Sequence, residues 1–70
     1  MDHISIAKRL GRNVRRLRRA KDVSQEAFAE LIKINRSYMS GIENGTRNPT
    51  IAVVGRIADN LGVEPAKLFE

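Results

Sequence analysis

Residues 24–45 read SQEAFAELIKINRSYMSGIENG. Two helix starts are written into this stretch. The Ser24 hydroxyl can accept a backbone N–H of the turn that follows it, and Glu26 then lies where the helix dipole favours negative charge. Phe28, Leu31 and Ile32 form an apolar stripe at helical spacing, so a helix is expected over residues 25–32. Lys33 and Ile34 lead to Asn35, a second N-cap. The helix that Asn35 opens runs to about Asn44, and Gly45 supplies the left-handed residue that stops it.

The second of these helices is bare. Met39 and Ile42 face a core, with Tyr38 and Asn35 at its edge; Phe28 and Leu31 join them there from the first helix. The opposite arc carries Arg36, Ser37, Ser40, Gly41 and Asn44, and Glu43 sits on the boundary. Ordinary exposed helices carry Glu, Lys and Gln at (i, i+4) spacing. A glycine inside a helix also costs about 1 kcal/mol relative to alanine. Such a surface suits close approach to a negatively charged, hydrogen-bonding groove. The major groove of B-DNA admits an α-helix; arginine pairs there with guanine O6 and N7, and serine can donate or accept. Arg36, Ser37 and Ser40 are the candidate base readers on this ground. Two short helices joined by Lys33, Ile34 and Asn35 make a helix-turn-helix, whose first helix crosses the DNA backbone while the second enters the groove. Free N–H groups at Ser24 and Gln25 are then placed for a phosphate.

Working outward, Ile6, Leu10, Val14 and Leu17 fall within about 80° of one helical face, which predicts a helix from about Ser5 to Ala20. Lys21 and Asp22 end it. Downstream, Thr46 to Pro49 form a polar loop and Thr50 caps a further helix, with Val54, Ile57, Ala58 and Leu61 inward and Gly62 at its end. Pro65 opens a last short turn carrying Leu68 and Phe69. No segment alternates as a strand does. The expected fold is all-α, a compact five-helix bundle forming one domain over residues 1–70.

Thirteen Lys and Arg against eight Asp and Glu give a net charge of +5. The excess is local: no acid occurs from His3 through Lys21, where Lys8, Arg9, Arg12, Arg15, Arg16, Arg18, Arg19 and Lys21 are basic. That field attracts polyanions, nucleic acid first and an anionic membrane second. There is no cysteine, and the one histidine cannot hold a structural zinc alone. The opening MDHISIAKRLGR lacks the apolar block of a signal peptide, and no window is long and apolar enough to span a bilayer, so a cytoplasmic location is expected. A catalytic triad, a paired-carboxylate site and a glycine-rich phosphate loop are all absent from the sequence. Neither an enzyme nor a bound cofactor, metal or small-molecule ligand is expected.

From Ser24 to Val63 the chain resembles the DNA-binding domain of the phage-repressor and Cro (XRE-type) family. The matching residues are Ser24-Gln25-Glu26 with Ala29, then Ser37, Ile42-Glu43-Asn44-Gly45, Arg47-Asn48-Pro49-Thr50 and the closing Leu61-Gly62-Val63, with Leu17-Arg18 upstream. The subset RSYMSGIE and RNPT, on so short a chain, is similar to the controller proteins of restriction–modification systems. The resemblance implies a lambda-repressor-like fold. By position it implies base reading by Arg36, Ser37 and Ser40, and Tyr38 at the groove edge against a phosphate or a deformable base step. It implies backbone contacts from Gln25, Asn44, Thr46, Arg47 and Asn48, and an Arg18–Glu43 ion pair joining the first helix to the reading helix, with Arg18 also reaching a phosphate. Lys33 stands where the family usually has glycine, and Gly41 where a base-reading side chain is common.

The expected function is sequence-specific transcriptional regulation. One helix reads too few base pairs for specificity in a genome, so a homodimer on a palindromic operator is expected, joined through Val63, Leu68 and Phe69. Its partners would be double-stranded DNA, a second copy and, if it activates rather than occludes a promoter, RNA polymerase. The rival class is an antitoxin-like or adaptor module that binds protein through the same fold. Salt discriminates the two, since DNA affinity falls steeply with ionic strength.

Overall fold

The computed structural model describes residues 3–70. Four α-helices run α1 His3–Ala20, α2 Gln25–Leu31, α3 Arg36–Asn44 and α4 Ile51–Leu61, and a 3₁₀ segment follows at Pro65–Phe69. The expectation of five helices is corrected in this last element. Five residues led by a proline close only i→i+3 turns, so the chain ends in a 3₁₀ segment.

Each helix boundary has a local cause. The Ala27 amide donates to Ser24 Oγ at 3.0 Å, the Tyr38 amide to Asn35 Oδ1 at 2.7 Å and the Val53 amide to Thr50 Oγ1 at 3.2 Å. Gly45 (φ 78°) and Gly62 (φ 70°) end α3 and α4 in the left-handed conformation. Lys33 is itself left-handed at φ 61°, at a cost of roughly 1 kcal/mol that the sharp α2–α3 corner imposes on a non-glycine. Asp22 takes the same conformation between α1 and α2.

The core is one cluster: Leu10 and Val14 from α1, Phe28, Ala29 and Ile32 from the α2 region, Met39 and Ile42 from α3, Val53, Ile57, Ala58 and Leu61 from α4, and Leu68. Three expectations change. Leu31 is 57% exposed, because the buried face of α2 is centred on Phe28, Ala29 and Ile32 and Leu31 lies about 100° from that centre. Val53 is buried, whereas Val54 is only half-buried. Leu68, expected at a subunit interface, is completely buried. Its carbonyl accepts a 2.8 Å hydrogen bond from Asn13 Nδ2, which also reaches Glu70 O at 3.1 Å and ties the chain end to α1.

Candidate nucleic-acid interface

Helix α3 lies between α1 and α2 and turns one face outward. Arg36, Ser37 and Asn44 are exposed, and Ser40 and Gly41 are half-buried. Arg36 extends from the first turn with its side chain 67% exposed, and Glu26 of α2 stands 3.9 Å from its Nη1.

Behind this face sits a buried ionic network. Glu43 is 4% exposed and Arg18 6%. Arg18 Nε donates to Glu43 Oε2 at 2.7 Å and its Nη2 to Oε1 at 3.0 Å, a bidentate pair, while its Nη1 donates to Val23 O at 2.7 Å. Gln25 Nε2 and Arg15 Nε also donate to Oε1, at 3.1 and 3.3 Å. Burial alone would push the Glu43 carboxyl up. The hydrogen bonds from Arg18 and Gln25, the Arg18 charge and the Arg15 hydrogen bond outweigh it and hold the group below its ordinary range. The same hydrogen bond raises Arg18, against the opposing effect of burial. One carboxylate on α3 thus anchors the helix to α1 and to the N-terminus of α2.

Backbone contact reinforces the anchor. A Cβ at Gly11 would lie 2.5 Å from both Ile42 O and Glu43 O. Only glycine lets α1 pass this close over the end of α3.

Gly41 has a different use from the one expected. Its outer side is covered by the chain's own loop, since a Cβ there would run into the Arg47 side chain. The Thr46 and Arg47 amides donate to Gly41 O at 2.9 and 3.2 Å, and Thr46 Oγ1 donates to it at 3.3 Å. The Arg47 guanidinium lies 5.7 Å from the centre of the Tyr38 ring, within cation–π range. Asn35, Ser37, Tyr38, Arg47 and Asn48 line an open concavity of about 620 Å³ beside the outward face of α3.

Arg36, Ser37, Tyr38, Ser40, Asn44, Thr46, Arg47 and Asn48 therefore share one surface on α3 and the loop after it. Gln25 stands behind them; its amide gives one N–H to Glu43 and retains a second. Arg18, expected to reach a phosphate as well, is only 6% exposed. Three of its five guanidinium N–H groups donate inside the protein. Arg15 was not singled out from sequence, yet it bridges Glu43 and, at 3.1 Å, Asn44 Oδ1. The available signal was its place on the polar stripe Lys8, Arg12, Arg15 and Arg19, at helical spacing along α1.

Among the described residues, no group of three or more His, Cys, Asp and Glu side chains could hold a metal ion. No helix among them is long and apolar enough to cross a membrane.

Residues 9–69 match the model of a helix-turn-helix domain. The chain is 42% identical over 62 residues to the control protein C.MunI of Mycoplasma sp, covering 87% of this chain and 84% of that protein. It is 39% identical over 61 residues to the control protein C.BamHI of Bacillus amyloliquefaciens, covering 86% and 75%. The crystal structure of the restriction–modification controller protein C.AhdI from Aeromonas hydrophila superposes with a TM-score of 0.85 at 40% identity, covering 90% of this chain and 96% of that one. With its capped α2, its left-handed corner and its outward-facing α3, the chain belongs to the helix-turn-helix domain family.

Proposed function

We propose that this chain is a sequence-specific DNA-binding transcriptional regulator, one domain over residues 1–70, that acts as a homodimer on a palindromic operator and controls a restriction–modification operon. The observation that carries the reading is the outward face of α3. It offers Arg36, Ser37 and Ser40 on a helix anchored by a buried bidentate ion pair, so the readers are held before DNA arrives. Controller-protein relatives covered over most of their length support the operon context.

Arg36 pairs with a guanine, and Ser37 and Ser40 read neighbouring bases. Gln25, Asn44, Thr46, Arg47 and Asn48 hold phosphates, and Tyr38, under Arg47, meets the groove edge. The dimer face is revised from the sequence expectation. Leu68 is in the core, but Phe69 (39% exposed) and Ile6 (45%) remain open. With Ala7, Leu10, Pro49 and Val54 they border an apolar groove of about 410 Å³, and half-buried Val63 stays in the interface set. A two-fold pair would set its reading helices about 34 Å apart, one turn of DNA. Protein concentration then sets operator occupancy, because dimerisation and binding both follow mass action. Occlusion of the promoter, or contact with RNA polymerase beside it, turns occupancy into control.

Selection from random duplexes tests this reading. The expected product is a palindromic consensus with guanine opposite Arg36, which Arg36→Ala relaxes at that position. Recovery of no consensus, or an affinity indifferent to salt, would defeat it.

A further inference from the structure

We propose that Arg15 sets a base preference it does not itself read, by fixing the hydrogen-bond polarity of Asn44 and, through it, of Ser40. The inference rests on the DNA-binding reading above and adds the direction of one contact within it.

A guanidinium only donates. Arg15 Nη2 lies 3.1 Å from Asn44 Oδ1, so the Asn44 amide turns its oxygen to α1 and its NH2 group away. That Nδ2 faces Ser40 Oγ at 3.5 Å, one helical turn back along the outward face. An amide nitrogen donates, so the Ser40 oxygen accepts and its own proton is left for another partner. Arg15 is fixed in turn through its Nε, which donates to Glu43 Oε1 at 3.3 Å. Glu43 is buried and clamped by Arg18 and Gln25. The order of donors and acceptors thus runs from a carboxylate in the core to a hydroxyl on the reading face.

The consequence is chemical. A free serine hydroxyl serves a donor or an acceptor equally. With one of its two lone pairs engaged by Asn44, Ser40 keeps its proton free and is biased towards donating to an acceptor on the base edge. Guanine O6 or N7 and thymine O4 satisfy it, whereas the N4 amino group of cytosine, a donor that must use the remaining lone pair, is the poorer match. Arg15, 39% exposed at its side chain, is a positioning residue for this contact.

Selection from random duplexes with the parent, Arg15→Met, Asn44→Asp, Ser40→Ala and the Arg15→Met/Ser40→Ala pair tests the relay. The parent is expected to disfavour cytosine at one position about fivefold, the scale of a single base-edge hydrogen bond. Arg15→Met keeps the aliphatic stem and removes the donors; it should level that position alone and leave the guanine opposite Arg36 selected. Asn44→Asp is acceptor-only, takes the Ser40 proton and should turn the preference toward the amino groups of cytosine or adenine. Ser40→Ala should level the same position, and Arg15→Met should add nothing there in its presence. Loss of one cation weakens binding to every sequence alike. A uniform loss with the parental preference retained in both Arg15→Met and Asn44→Asp overturns the inference and leaves the DNA-binding reading intact. A parent without any consensus overturns that reading, and the relay with it.

Discussion

Glu43 keeps its charge in a buried position because three side chains donate to it: Arg18 twice, Arg15 and Gln25. Breaking one side of a buried pair strands the other charge, at about 3–5 kcal/mol. Glu43→Gln should therefore lose a large share of total stability, measured by urea denaturation at neutral pH. The network also carries a pH signature. The folded carboxyl lies below its ordinary value of 4.5, so its contribution is fully present above that value. It is lost as pH falls through the lowered folded value. The stability gap between parent and Glu43→Gln should be constant near neutrality and narrow below about pH 4.5. An Arg18–Glu43 pair follows from the family resemblance, but its complete burial does not. A helical wheel places Glu43 at the boundary, and only the passage of α1 over α3 closes water out.

Two glycines on facing elements should respond in opposite ways to the same substitution. At Gly11 an added methyl meets the α3 carbonyls at 2.5 Å, and backbone in a packed helix cannot retreat. Gly11→Ala should cost about 1–3 kcal/mol and should weaken DNA binding as well, by shifting the reading helix. At Gly41 the obstacle is Arg47 Cγ, which a χ1 rotation can move aside, with Arg47 Cβ at 3.3 Å having to give by a few tenths of an ångström. Gly41→Ala should gain up to about 1 kcal/mol of helix propensity while operator affinity falls, because Arg47 leaves the Tyr38 ring. Thermal melts and titrations of one duplex measure both signs. An operator affinity undiminished in Gly41→Ala would mean that Arg47 placement does not matter to binding. The α2–α3 corner is legible through the family resemblance, which places Lys33 where glycine is usual, and Lys33 has φ 61°.

At the scale of the molecule, a small chain must cover its apolar surface or share it. Residues Ile6 and Phe69 border a groove that no described part of the chain fills. Phe69→Glu should leave the fold in place, since the core anchor of this segment is Leu68. It should convert a dimer to a monomer in sedimentation at micromolar concentration and make operator binding shallow and weak. An unchanged dimer would move the interface elsewhere. The basic stripe of α1 should act at longer range, drawing the protein to DNA before any base is read, so that association slows as salt is raised.

The order of the four α-helices and their caps, though not the last turn, expected as a fifth helix and found as a 3₁₀ segment, were settled by the sequence alone, because capping hydroxyls, stop glycines and apolar periodicity act over one or two turns. So was the identity of the outward face of α3, which no acidic or long apolar side chain interrupts. Which faces meet was decided only in three dimensions. That is why Leu68 proved to be core, Leu31 surface and Arg18 wholly internal, why Gly41 is covered by its own loop, and why Arg15 joins the reading face. Each of these depends on the crossing of helices distant in sequence, where burial and hydrogen-bond partners come from the other element.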